Sequence, residues 1–284
     1  MKANVSIGIC AYNEVTNIGN LLDSLLSQPF FHHQELIEII VVCSGCTDGT
    51  DDIVREFHEK DSRVRLLFQR SRQGKAMAQN IILREAKGDV IVFLSADTYP
   101  AKGSIAVLVN TIGGKVAGAD SRVLLLNEPY GLANFISRFT WKLHNCTMMY
   151  ENELGRLAHL AGDMFAIRRG IVDEIPPYVI NDDAYMGMVV RSKGYRILYV
   201  HKSVCYIWGP CTIRDYIDQR RRVLFGHRQL KQVLGKPPTV LKTLLFHRPY
   251  DAIRIFLGKV RTLNLRDLAK IPVVIILEMM ASLL

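Results

Sequence analysis

Four short polar segments in this chain each follow an apolar run: Ala11-Tyr12-Asn13-Glu14, Ser44-Gly45-Cys46-Thr47-Asp48, Arg70-Ser71-Arg72-Gln73-Gly74-Lys75 and Ser95-Ala96-Asp97. Asp97 comes directly after a continuous apolar stretch, so a buried strand there would deliver its carboxylate to an edge. A carboxylate so placed can hold a divalent cation that also grips two phosphates. Gly74 and Lys75 open a helical pattern, and the unpaired N–H groups of a first helical turn are good hosts for phosphate. Taken singly, each residue is also what ordinary helix capping uses. Recurring at four successive strand ends, they point to a nucleotide diphosphate site.

The elements that must position these residues are legible in the hydropathy pattern. Residues 5–10, 36–43, 64–69 and 89–94 read as strands. Between them Ile18, Leu21, Leu22, Leu25 and Leu26 recur at helical spacing, and residues 51–59 and 75–86 read as helices. Strands and helices alternating at this length predict a mostly parallel sheet covered on both faces. In such sheets ligands gather outside the carboxyl ends of the strands. Beyond about residue 115 the pattern loosens, with 116–126 extended, 130–150 helical and 160–168 strand-like. Pro176-Pro177 then punctuates the chain before a helix from Asp183.

Six motifs in order give the chain a resemblance to the family 2 glycosyltransferases, inverting enzymes of the GT-A fold. They are Tyr12-Asn13-Glu14; the segment from Cys43 to Thr50 against the family's Asp-Asp-Gly-Ser-Thr-Asp-Gly-Thr; Gly74-Lys75-Ala76; Ser95-Ala96-Asp97 against Asp-Ala-Asp; Asp182-Asp183 ahead of Gly194-Tyr195; and Gln219-Arg220-Arg221-Arg222-Val223 against Gln-x-x-Arg-Trp. The resemblance runs over roughly residues 4–230 and implies a GT-A domain over 1–230; residues 231–284 read by their charge and hydropathy as a basic amphipathic helical tail, membrane-associated or oligomerising. The resemblance also implies a nucleotide-diphospho-sugar donor contacted by Ala11, Tyr12, Asn13, Glu14, Ser44, Asp48, Gly74, Lys75, Ser95, Gln219 and Arg222. Asp97 would hold Mg²⁺ or Mn²⁺, and Gly162 and Asp163 fall where the family contacts the acceptor, although Asp163 also suits a turn.

Inverting transfer is one in-line displacement at the anomeric carbon. It needs a base for the acceptor proton and charge neutralisation on the leaving diphosphate. Asp183 is the candidate base, with Asp182 raising its pKa by like-charge repulsion. The alternative is that Asn181-Asp182-Asp183 only caps the following helix. Arg221 and Arg222 offer guanidinium groups that match phosphate geometry, or else form a solvated face. The departures matter too. Cys43 and Ser44 replace a pair of aspartates, one of which reads the nucleotide base in the family, leaving a serine hydroxyl for the ribose. Ser95 replaces the first aspartate of the metal motif. Val223 replaces a tryptophan associated with processive synthases, which favours transfer of single sugars.

Charge separates a neutral body from a basic end. Residues 1–213 carry 22 Lys and Arg against 22 Asp and Glu, whereas residues 214–284 carry 14 against 5, the whole excess of +9. In that end Lys242, Arg248, Arg254, Lys259 and Arg261 interleave with Leu241, Leu244, Leu245, Phe246 and Ile253. The mixture suits helices lying in a lipid headgroup layer, or a cationic helical subdomain packed on the body or pairing two chains. Residues 271–284 are apolar apart from Glu278 and Ser282, but are shorter than the ~20 residues that span a bilayer. Zinc-finger and recognition-helix patterns are missing, so nucleic acid is not expected. The expected acceptor is lipid-linked, membrane-presented or a growing glycan, with the protein peripheral on the inner face of the cell membrane. Six cysteines in 284 residues are too few for a disulfide scaffold, and residues 5–10 do not resemble a signal peptide, so a reducing cytoplasm is expected.

Other readings explain less. Cys43 and Cys46 form a Cys-x-x-Cys at a strand end, the position of a redox pair, yet this accounts for neither Asp97 nor the basic end. His32, His33, His144, His201 and His227 share no metal-ligand spacing, and Trp141 and Trp208 suit packing. A sugar-phosphate nucleotidyltransferase would carry a Gly-rich, Arg-containing turn where Ala11-Tyr12-Asn13-Glu14 stands. A non-catalytic nucleotide-sugar sensor is suggested by Cys43, Ser44 and Ser95, but not by the retained Asp97 and Asp183.

Overall fold

The computed structural model describes residues 2–128, 130–160 and 162–283. In chain order it begins with β1 (Ala3–Ala11), α1 (Ile18–Leu26), β2 (Gln34–Ser44), α2 (Thr50–Lys60), β3 (Val64–Gln69), α3 (Lys75–Glu85) and β4 (Val90–Ser95). There follow β5 (Tyr99–Pro100), α4 (Ser104–Val109), β6 (Val116–Leu125), α5 (Leu132–Glu153), β7 (Met164–Arg168), α6 (Asp182–Ser192) and β8 (Arg196–Ile207). The chain closes with α7 (Ile213–Leu234), α8 (Leu241–His247), α9 (Pro249–Val260), α10 (Leu265–Leu268) and α11 (Ile271–Leu283). Two compact units result: Met1–Val123 with His159–Ile207, and Leu124–Ala158 with Trp208–Leu284.

The first unit is built on an eight-stranded sheet in the order β3-β2-β1-β4-β7-β6-β8-β5. From β3 to β4 every pairing is parallel. These strands read as apolar runs because both their faces are covered: Ile7, Ile9, Ile40, Val41 and Val92 are fully buried. α1 presents Ile18, Leu21, Leu22 and Leu25 to the core at helical spacing. The register sets Cys10 opposite Ser95, Ala11 opposite Cys43 and Ser44 opposite Gln69, so four strands finish in one row. Beyond β4 the sheet turns antiparallel, with β7 pairing β4 and β6, and β5 pairing β8. The sheet is therefore mixed, its parallel character confined to the half that the sequence pattern resolves. β8 alternates buried and open positions, a pattern natural to antiparallel strands with one wetter face.

The second unit is helical. Phe135, Phe139 and Leu143 of α5 share a core with Tyr216 of α7 and with Ile271, Val274 and Leu277 of α11. α7 runs unbroken through residue 230 and ends at Gly235, whose φ of 75° is the left-handed conformation that stops helices. Arg220 forks onto Glu278 of α11, with Nε to Oε1 at 2.7 Å and Nη2 to Oε2 at 2.9 Å. The Tyr216 hydroxyl donates to the same carboxylate at 2.5 Å and lies 2.8 Å from Thr140 Oγ1. Leu244, Ala252 and Ile255 form a smaller cluster against Cys146 and Tyr150. Among the described residues no helix is long and apolar enough to cross a membrane.

This ion pair makes a stability prediction. Glu278→Leu leaves the Arg220 guanidinium without a counter-charge and costs about 3 kcal/mol in urea unfolding, whereas Arg220→Met combined with Glu278→Leu recovers most of the loss. Equal losses in the single and double variants would show that the pair itself, not an orphaned charge, holds the helices together.

Candidate active site

The row of strand ends is braced by its own loops. Asp48 accepts the N–H of Val15 at 3.0 Å on one oxygen, and the N–H and hydroxyl of Thr50 at 3.0 and 2.6 Å on the other. Bonding to the Thr50 hydroxyl and to those amides holds its carboxyl below the usual range. Asn13, at a left-handed φ of 54°, accepts the N–H of Thr47 at 2.9 Å. The Glu14 N–H donates to Thr50 Oγ1 at 2.8 Å, and its carboxylate accepts from Asn17 at 2.8 Å. The Ala11 carbonyl accepts the Cys46 thiol at 3.6 Å. The first and second loops are thus tied together by Asp48 and Asn13. Both oxygens of Asp48 take part in this bracing.

At the outer end of the row, Tyr12 is exposed and the Arg72 guanidinium lies 4.0 Å from its ring centroid. Ser44 and Gln69 face each other across β2 and β3, both buried. Ser44 Oγ and Gln69 Oε1 have no hydrogen-bond partner. A buried polar oxygen without a partner costs about 1–3 kcal/mol, so two of them side by side suit a ligand that supplies hydrogen bonds. Burial pushes the Cys43 thiol well up and the Cys10 thiol to about 12. Burial therefore works against thiolate formation at Cys43, the first cysteine of the Cys-x-x-Cys.

At the inner end a chain of charges forms. α3 starts at Gly74, whose φ of 91° and ψ of 163° belong to glycine; space around it is open, so the requirement is backbone conformation alone. The next residue, Lys75, brings its Nζ 3.6 Å from Asp182 Oδ2 and 3.4 Å from Ser95 Oγ. Ser95 Oγ in turn lies 3.5 Å from Asp163 Oδ1, and the Ser95 N–H donates to the Asp163 carbonyl at 3.1 Å. Gln79, one turn after Lys75, donates its amide to the same oxygen of Asp182. Desolvation works against the Lys75 charge, but Asp182, Asp163 and Asp183 outweigh it and hold the ammonium above its ordinary pKa.

Asp182 and Asp183 open α6 with different environments. Asp182 is buried and clamped by Gln79 and Lys75. Asp183 is half-buried and accepts the N–H of Ala184 at 2.7 Å. Asn181 makes no side-chain cap bond, so simple capping does not account for the trio. Burial, then repulsion from Asp182, pushes the Asp183 carboxyl up to about 7, against the pull of Lys75.

Asp97 is exposed just beyond β4. Glu14 and Asp163 are each raised first by burial, and the Asp97 charge raises both further. A divalent cation on Asp97 would relieve both, and it fits the charge of this corner. Among the described residues no group of three His, Cys, Asp or Glu side chains could hold a metal unaided. Such a cation would therefore take further oxygens from a ligand, as phosphates supply. Gln219 and exposed Arg222 lie on α7 in the second unit, where Arg221 pairs with Asp218 at 3.7 Å.

The structure thus gathers Lys75, Ser95, Asp97, Asp163, Asp182 and Asp183 into one electrostatic network, with Tyr12, Ser44 and Asp48 further along the same row of strand ends. Three further residues around the site carry little sequence signal. Gln79 reads as a surface glutamine. Gln69 reads as the last residue of a strand. Asn80 exchanges two 2.8 Å hydrogen bonds with the backbone of Ile175 and fixes the approach to α6. At Gly187 an added Cβ would lie 2.2 Å from the Leu160 nitrogen, so only glycine lets the segment before Asp163 lie against α6.

The raised pKa of Asp183 has a signed consequence. Its contribution to stability is in full below the unfolded value of 3.8 and is lost as pH rises through about 7. Asp183→Asn should therefore melt higher than the wild type above neutral pH and level with it in acid. Melting curves that stay parallel across that range would contradict the assignment.

Comparison with known proteins shows the family of the chain. Residues 6–176 match glycosyl transferase family 2. The probable glycosyltransferase YdaM of Bacillus subtilis is 27% identical over 237 residues, covering 79% of this chain and 55% of that protein. Glycosyltransferase AglE of Haloferax volcanii is 25% identical over 206 residues, 70% of this chain and 65% of that protein. Poly-beta-1,6-N-acetyl-D-glucosamine synthase of Staphylococcus aureus is 22% identical over 227 residues, 78% of this chain and 54% of that protein. The chain therefore spans between about half and two thirds of these relatives. Among solved structures, mannosyltransferase PcManGT from Pyrobaculum calidifontis, in complex with GDP-Man and Mn²⁺, has a TM-score of 0.63 at 22% identity over 96% of this chain and 79% of that one. Glucosyl-3-phosphoglycerate synthase from Mycobacterium tuberculosis has a TM-score of 0.53 at 18% identity over 84% of this chain and 82% of that one. These likenesses identify the fold as GT-A, and with a family match over more than half its length the chain belongs to glycosyl transferase family 2.

Proposed function

We propose that this glycosyltransferase moves a single sugar, with inversion, from a nucleotide-diphospho-sugar to a lipid-linked or membrane-presented acceptor, using Mg²⁺ or Mn²⁺ at Asp97. The observation that carries the reading is Asp183, a half-buried carboxyl raised to about 7 in the same charge network as an exposed Asp97. The two solved relatives described above were determined with Mn²⁺ and with GDP-Man or UDP, which supports the donor and cation classes.

In the reaction the acceptor oxygen bonds to the anomeric carbon as the bond from that carbon to the phosphate oxygen breaks. The acceptor proton passes to Asp183, whose pKa near neutrality suits a general base. Asp182, fixed by Gln79 and Lys75, keeps Asp183 basic by repulsion. A divalent cation on Asp97, when bound, supplies charge neutralisation for the leaving diphosphate. Ser44 and Gln69 offer their unpartnered oxygens to the nucleoside. Val223, in place of the tryptophan of processive enzymes, supports single transfer, while likeness to the poly-N-acetylglucosamine synthase favours chain growth. Product length on a defined acceptor separates the two.

A donor panel of UDP-, GDP-, ADP- and TDP-sugars, scored by thermal shift with and without Mn²⁺ and then by donor turnover, tests the proposal. Activity should rise with pH through about 7. Asp183→Asn should lose about 10²–10⁴-fold in kcat while still binding donor. Asp97→Asn should lose the Mn²⁺-dependent part of the thermal shift. An Asp183→Asn enzyme with near-normal turnover would remove the base assignment.

A further inference from the structure

The second unit carries two apolar stripes that its own core does not cover. α11 buries Ile271, Val274, Leu277 and Ala281 and turns the opposite face outward. That face consists of Pro272, Ile275, Ile276, Met279 and Met280, at spacings of three and four residues, and holds no polar side chain. Ile276 and Met279 are 55% and 58% exposed. α9 does the same: Ala252 and Ile255 pack inward, while Tyr250, Ile253 and Leu257 recur on the outer side, Tyr250 at 76% exposure. Phe246, at the end of α8, is 75% exposed. An ordinary surface helix places polar residues on the side away from its core, so a wholly apolar outer face calls for an apolar neighbour.

The charges around these stripes say which neighbour. Arg254 and Arg261 fall on the same outer side of α9 as Tyr250, Ile253 and Leu257, and both are exposed. Lys242, Arg254, Lys259, Arg261 and Arg266 take part in none of the ion pairs found among the described residues, whereas Arg220, Arg248 and Lys270 are neutralised within the unit. Apolar side chains flanked by unneutralised cations match a layer of acyl chains beneath anionic headgroups. A second copy of this chain would instead bring the same positive charges together.

The geometry points to the outer faces of α9 and α11, with the tip of α8, as a docking surface for an anionic lipid bilayer, entered by side chains rather than crossed. The surface stands independently of the sugar-transfer reading, because its readout is lipid binding and not turnover. The full chain should float with phosphatidylcholine vesicles containing phosphatidylglycerol, and far less with phosphatidylcholine alone or in high salt. Arg254→Glu and Arg261→Glu should each weaken binding by at least about five-fold. Ile276→Asp with Met279→Asp should weaken it by more than about ten-fold. All four positions are exposed, so melting temperatures should hold. No flotation, or equal flotation with neutral vesicles, overturns the proposal. So does sedimentation showing an oligomer that these variants dissociate while lipid binding is unaffected, since a second copy would then cover the surface.

Discussion

One ammonium holds the corner of the candidate site together. Lys75 stands among Asp163, Asp182 and Asp183, and without it three carboxylates would crowd the end of a buried sheet with nothing to balance them. Its position follows from two local facts: α3 starts at a glycine with a backbone angle other residues avoid, and β4 ends level with β1. The network therefore depends on strand register as much as on side-chain chemistry. A slip of one residue between β1 and β4 would carry Ser95 away from Lys75.

Asymmetry within the Asp182–Asp183 pair gives the corner its chemical character. Adjacent carboxylates in equal environments would have no reason to divide the labour. Here Gln79 and Lys75 clamp one in place, and burial together with repulsion from it makes the other reluctant to ionise. Opposite charge near one carboxylate and like charge near the next act over one peptide unit. This lets a short Asn-Asp-Asp segment do what is often shared between distant residues.

The parallel half of the sheet was legible because buried parallel strands are written as unbroken apolar runs, as in β2 and β4. The strand ends were legible for the same reason: polar residues after such a run must sit on an edge. Asp163 was harder to place. Its tie to Ser95 arises from the antiparallel return of β7 along β4, a pairing between residues far apart in sequence with no local signature. Gln79 and Asn80 resemble solvent-facing helix positions until the segments they hold are seen beside them. β8 alternates too irregularly, with His201 and Lys202 both open, to announce itself as twelve residues of strand. Arg220 stands beside Arg221 and Arg222, the two that the sequence offers to phosphate, and its own guanidinium closes a structural fork on Glu278.

The helical unit is interrupted in sequence, since α5 is followed by β7, α6 and β8 before α7 resumes it. Beyond their own helix, Phe135 and Phe139 pack against apolar residues of helices more than seventy residues downstream. The basic end is thus not a detachable appendage. Cutting the chain after β8 would strip α5 of its packing and leave a greasy stump prone to clumping, and recombination by a single crossover could not transplant the bundle to another protein intact.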